Sequence, residues 1–169
     1  KTRQSFDTKV VSKLDVQHTE SDLILYIVDN NEASIISELE NELEVFPTWS
    51  PDGKKLYFCS AEFEYHIDTI AKETEMIQRY KEVKYDLYSV DFNPETRQFS
   101  NVEMIYNAAD SLGQSVTLPR VSPDGRYLLF AQAEYGCFHV WHNDADIYMM
   151  DLKTKQVQKL NNVNSARSE

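Results

Sequence analysis

Two imidazoles, an indole and two carboxylates lie close together in the last third of the chain: His139, Trp141, His142, Asp144 and Asp146. Imidazole nitrogens and carboxylate oxygens can together bind zinc or a harder cation, or accept a hydroxyl of a sugar. An indole ring can stack on a sugar ring or hold an aromatic side chain of a partner. These five residues are therefore the candidate ligand-binding residues of the sequence.

The spacing of this cluster argues against a metal site. If the segment is a strand, successive side chains point to opposite faces, so His139 and Trp141 face one way and His142 the other. The favoured interpretation of the cluster is structural, a polar network between blades around a packed tryptophan. Binding of a ligand by these residues is the alternative, and no metal, cofactor or catalytic residue is predicted.

Composition and charge narrow the classes of function. The chain has 169 residues, with 28 acidic against 17 basic side chains and a net charge of −11. Such a surface repels phosphate, so we expect no nucleic-acid partner. The longest apolar run, residues 23–28, is far too short to span a membrane. No nucleophile elbow, phosphate-binding glycine loop or zinc-protease motif occurs in the sequence.

Two cysteines, Cys59 and Cys137, are too few for a disulfide framework or for a zinc site built on thiolates. They could form a single bridge, but two buried free thiols are favoured.

Two sequence elements recur in a fixed order. Residues 47–58, which contain Trp-Ser-Pro-Asp-Gly-Lys-Lys-Leu-Tyr-Phe, match residues 119–130, which contain Val-Ser-Pro-Asp-Gly-Arg-Tyr-Leu-Leu-Phe, at a constant offset of 72. A second element occurs three times: Leu-Tyr-Ile-Val-Asp at 25–29, Leu-Tyr-Ser-Val-Asp at 87–91 and Ile-Tyr-Met-Met-Asp at 147–151. Interleaved repeats of this kind indicate a repeat architecture.

The chemistry of the elements predicts their structure. Ser-Pro-Asp-Gly suits a type I turn between two short strands, because Pro fixes φ at the second position and Gly closes the fourth. The second element is an alternating strand, followed by a polar turn and a further strand. Four antiparallel strands per repeated unit are typical of a β-propeller blade.

We therefore predict an all-β fold in which residues 1–169 form one propeller segment. Residues 22–38 are predicted as a partial blade, and residues 47–106 and 118–161 as full blades. Because a propeller needs at least four blades to close, two and a half blades are expected to be part of a longer propeller. The first full blade carries an insertion over residues 69–83, whose apolar spacing predicts an amphipathic helix.

Several acidic residues are predicted to accept hydrogen bonds that stabilise turns, or to lie at a solvated edge, and not to take part in chemistry. Asp52 and Asp124 are expected to cap their own turns, and Asp86 and Asp146 to accept hydrogen bonds from a neighbouring turn. Alternating glutamates are expected to form a solvated outer edge that discourages strand pairing between molecules, with attraction of a basic partner or calcium as the alternative. These glutamates are Glu38, Glu40, Glu42 and Glu44.

The repeats resemble those of TolB-like propellers, the WD-like repeats of exported bacterial proteins. The Asp-Leu-Tyr and Asp-Ile-Tyr elements at Asp86 and Asp146 look like the matching element of that repeat. Residues 135–142 and 144–148 are similar to a group of TolB-like exported proteins of Gram-negative gut bacteria. The resemblance covers about residues 22–161. It implies a location in the periplasm or outer membrane and a propeller that binds proteins.

The predicted function is that of a non-enzymatic exported module that binds a protein, or alternatively a glycan, in the cell envelope. A second reading is the gating propeller of a prolyl-peptidase-like hydrolase, whose catalytic domain would lie after Glu169. A third is a propeller-fold polysaccharide lyase, which would require His139 or His142 to face the central channel.

Overall fold

The described part of the chain folds mostly into antiparallel β-sheet. A computed structural model describes residues 23–36, 42–62, 84–134 and 145–161. Its strands are β1 (Ile24–Ile27), β2 (Glu32–Ile35), β3 (Glu42–Trp49), β4 (Lys55–Glu62), β5 (Asp86–Asn93), β6 (Gln98–Tyr106), β7 (Ser115–Val121), β8 (Tyr127–Ala133), β9 (Ala145–Asp151) and β10 (Val157–Lys159). A single-turn helix, α1 (Ala109–Leu112), connects β6 to β7. The prediction of an all-β fold is confirmed.

The ten strands among the described residues form three antiparallel sheets, each in chain order. β3, β4, β5 and β6 form sheet 1, and β7, β8, β9 and β10 form sheet 2. β1 and β2 form a hairpin. Each neighbour in a four-stranded sheet is also the next described strand along the chain. Within the described ranges the sheets do not close into a ring.

The predicted Ser-Pro-Asp-Gly turns are present in both sheets with the same bonds. The amide of Gly53 donates to the carbonyl of Ser50 over 2.9 Å, and the amide of Gly125 donates to that of Ser122 over 2.8 Å. Both glycines have a positive φ, +67° and +71°. Because a Cβ is disfavoured in this conformation, the fourth position of the turn requires glycine.

A second repeated feature was not predicted from the sequence. Phe46 and Leu118, which are 72 residues apart, both have a positive φ, 56° and 53°. At each of them the pairing of the first and second strands shifts its register. Large side chains rarely adopt this conformation. The two sheets therefore carry the same β-bulge at the same position, one residue before a proline.

Sheet 1 is apolar on both faces. Leu56 and Phe58 on β4 pack with Leu23, the residue before the hairpin, while Val90 on β5 joins the same cluster. The alternate residues of β4 point the other way, since side chains of a strand alternate between faces. Among them, Cys59 is a buried free thiol, and burial raises its pKa.

The opposite face of sheet 1 packs on sheet 2 in one core. Sheet 1 contributes Leu43, Tyr57, Cys59, Ala61, Tyr85, Leu87 and Ala108, and sheet 2 contributes Val116, Leu128, Phe130 and Met150. The hydroxyl of Tyr106 on sheet 1 also donates to the Oε1 atom of Gln132 on sheet 2 over 3.0 Å. The sheets are therefore stacked face to face.

Stacking places the repeated turns side by side. A Cβ built on Gly125 would lie 3.7 Å from the Cδ atom of Pro51, which belongs to the corresponding turn of sheet 1. Because the equivalent turns lie at the same edge of the stack, the two sheets point in the same direction. Sheet 2 is therefore related to sheet 1 by a displacement and not by a reversal of its direction.

The backbone amide just before the third strand of a unit donates a hydrogen bond to the next unit in two places. The amide of Tyr85, just before β5, donates to the Oγ atom of Ser115 on β7 over 3.0 Å. The amide of Leu23, the corresponding residue before β1, donates to the Oε2 atom of Glu44 on β3 over 3.1 Å. The donor position is the same in both places, but the acceptors are side chains of different kinds at adjacent positions of the first strand.

This bond corrects one prediction about the acidic segment. Glu44 was expected at a solvated edge, but only 3% of it is exposed. A carboxylate can be buried when donors satisfy it, and the amide of Leu23 is one such donor. Glu42 is half-buried and accepts from the hydroxyl of Ser60. Glu38 and Glu40 lie outside the described residues.

Other predictions fall on parts of the chain that the structure does not describe. They are the helix over residues 69–83 and the state of Cys137. Both stay predictions.

Candidate functional site

Asp146 is the one member of the predicted ligand-binding cluster that the structure describes. It lies on β9, and its carboxylate accepts from the ammonium group of Lys159 on β10. This hydrogen bond raises the pKa of Lys159. The ion pair joins two neighbouring strands of sheet 2, and both side chains stay partly exposed.

The other four members of the cluster, His139, Trp141, His142 and Asp144, lie outside the described residues, so the predicted site stays a prediction. Within the described ranges no three His, Cys, Asp or Glu side chains are grouped to hold a metal ion.

Asp86 confirms the structural prediction that was made for it. Its Oδ1 atom accepts from the amides of Ala108 and Ala109 over 2.6 and 2.8 Å, at the start of α1. Asp146 holds the corresponding place in sheet 2 but pairs with Lys159 instead. The two aspartates therefore share a position in the repeat without sharing a partner.

A different surface stands out when the three copies of the Leu-Tyr element are compared. The fourth residue of that element is Val28 in the hairpin, Val90 in sheet 1 and Met150 in sheet 2. Val90 and Met150 are 0% exposed, whereas Val28 is 79% exposed. One position of the repeat is thus core in two units and open to solvent in the third.

The tyrosine of the same element shows the same difference. Tyr88 stacks on Phe58 with ring centroids 5.7 Å apart, and Tyr148 stacks on Phe130 with centroids 6.0 Å apart. Tyr26 is 55% exposed. Its hydroxyl donates to the side chain of Asn31 within the same hairpin.

The exposed residues of the hairpin lie on one of its faces. Ile24 and Tyr26 alternate along β1, and Ile35 lies opposite Ile24 on β2. Ile24 is 64% exposed and Ile35 is 51% exposed. We call Ile24, Tyr26, Val28 and Ile35 the hairpin surface. Clustered exposed apolar side chains mark interaction sites more often than scattered ones do.

An aromatic cluster lies on the face of sheet 1 that packs on the hairpin. Trp49 contacts Phe92 and Phe99 with ring centroids 5.3 and 6.3 Å apart. Phe99 in turn packs on the cluster that contains Leu23. Trp49 is 40% exposed. Its counterpart in sheet 2, Val121, is half-buried against the core between the sheets.

Beside this cluster is an open pocket of about 310 Å³. Lys54, Phe92, Asn93, Pro94 and Glu95 line it. The Oδ1 atom of Asn93 accepts hydrogen bonds from the amides of Glu95 and Thr96. The side chain of Asn93 therefore caps the turn between β5 and β6. The pocket carries no grouping of catalytic side chains.

Sequence reasoning did not single out the hairpin surface or Trp49. The available signal was the alignment of the repeats: the hairpin has the tyrosine and valine of the third strand, while no Ser-Pro-Asp-Gly turn precedes it. The same alignment sets Trp49 against Val121. When the first two strands of a unit are not present beside its third strand, we expect the apolar residues of that third strand to be exposed.

Comparison with known proteins adds no assignment. No family model matches the chain, and no curated protein or solved structure matches it. A search for membrane-spanning helices among the described residues finds none that is long and apolar enough.

Proposed function

We propose that the chain is a TolB-like propeller module that binds a protein partner in the cell envelope, in the periplasm or at the outer membrane, without catalysing a reaction. In this proposal the two sheets are propeller blades, and the hairpin is the outer half of a third. The resemblance of the repeats supplies the family and the location.

The observation that carries the proposal is the recurrence of contacts between successive units. The amide just before the third strand donates from the hairpin to Glu44 of sheet 1 and from sheet 1 to Ser115 of sheet 2, so the donor position recurs with different acceptors. Ion pairs recur as well: Arg97 lies 3.5 Å from Glu32 of the hairpin, and Lys155 of sheet 2 lies 4.0 Å from Glu103 of sheet 1. These exposed pairs add little stability, but they support a repeated displacement such as a propeller has.

Binding of a protein suits this architecture because exposed apolar side chains are clustered on it. The hairpin surface and Trp49 are large and apolar, and Tyr and Trp are the side chains that most often anchor protein interfaces. The acidic charge of the chain favours a partner with a neutral or basic contact surface.

The test is chemical cross-linking of the purified chain to solubilised envelope proteins of a Gram-negative bacterium, with a lysine-reactive reagent and mass spectrometry. We expect a protein adduct that saturates with concentration and is lost when excess unlabelled chain competes. The heat-denatured chain is the control. Adducts that do not saturate, or that the denatured chain forms equally, would contradict the proposal.

A further inference from the structure

We draw no further inference here: the strongest candidate, the hairpin surface formed by Ile24, Tyr26, Val28 and Ile35, is an unpartnered apolar patch, and nothing among the described residues shows what covers it.

Discussion

At the scale of single residues, the aspartates of the two Ser-Pro-Asp-Gly turns stabilise the repeated turn by hydrogen bonds. The Oδ1 atom of Asp52 accepts from the hydroxyl of Ser50 over 2.6 Å and from the amide of Lys54 over 3.1 Å. Asp124 accepts from Ser122 and Arg126 over 2.5 and 3.1 Å. Identical bonds in both turns confirm that each aspartate caps its own turn.

These bonds predict a dependence of stability on pH. The serine hydroxyl and then the backbone amide hold the pKa of each carboxyl below its ordinary value of 3.8. A carboxyl group whose pKa is lower in the folded state than in the unfolded state stabilises the fold at a pH above its ordinary pKa. This stabilisation is lost as the pH falls through the lowered pKa of the folded state. We expect the thermal midpoint to decrease between about pH 4 and pH 2.

The check is a double variant, Asp52→Asn with Asp124→Asn, which keeps an accepting oxygen in each turn but cannot titrate. Its thermal midpoint, followed by circular dichroism, should decrease less steeply over the same pH range. A slope equal to that of the parent chain would show that other carboxyl groups govern acid unfolding.

At the scale of the element, the β-bulge sets the path of the first strand in each sheet. Leu118 keeps a positive φ although its side chain is 52% exposed and so gains little by burial. The following residue, Pro119, is fully buried. The backbone conformation is therefore imposed by the sheet around it, at a cost of about 1–2 kcal/mol for a residue with a Cβ.

Replacement of Leu118 by glycine and by alanine isolates this cost. Both variants lose the exposed side chain, but only alanine keeps the Cβ. We expect Leu118→Gly to be more stable than Leu118→Ala by about 1 kcal/mol, as measured by denaturant unfolding.

Met104 on β6 provides the matched control, since it is 42% exposed, pairs with Tyr88 on β5 and has no positive φ. There the order should reverse, with glycine less stable than alanine by about 0.5–1 kcal/mol. The same order at both positions would contradict a backbone cost at Leu118.

At the scale of the whole molecule, the face of sheet 2 that points away from sheet 1 is open. The equivalent face of sheet 1 is buried, because sheet 2 packs on it. Leu87 is 0% exposed between the sheets, whereas the corresponding Ile147 on β9 is 37% exposed. Leu129 and Ala131 are half-buried, while their counterparts Tyr57 and Cys59 are buried. We therefore expect this face to be covered by a further unit of the same kind in the working protein.

The 169-residue chain alone should accordingly bind a hydrophobic dye or associate at high concentration. Ile147→Lys should reduce dye binding and the mass measured by light scattering, because a charge then lies on the open face. Leu112→Lys, on the exposed helix α1, should not. A monomer that binds no dye in the parent chain would show that this face needs no cover.

How far the sequence predicts the molecule depends on whether a feature is local. The turns at Ser50 and Ser122 follow from their own residue types, and the strands follow from alternation. The bulge at Phe46 and the burial of Glu44 depend on contacts between strands or units, which local patterns do not encode. The hairpin surface required a comparison of Val28 with Val90, because exposure depends on which neighbours are present.

The consecutive order of the strands bears on how the chain folds during its synthesis. Every strand of sheet 1 pairs with one that is next to it in the chain, and sheet 2 begins only at Ser115. Pairing between neighbouring strands keeps contacts local, except that residues 63–85 separate β4 from β5. Local contacts favour fast folding for a β protein. Repeat proteins nucleate in one unit and propagate to its neighbours. Sheet 1 can therefore form while sheet 2 is still being made, and its buried face then serves as the surface on which Leu128 and Phe130 assemble.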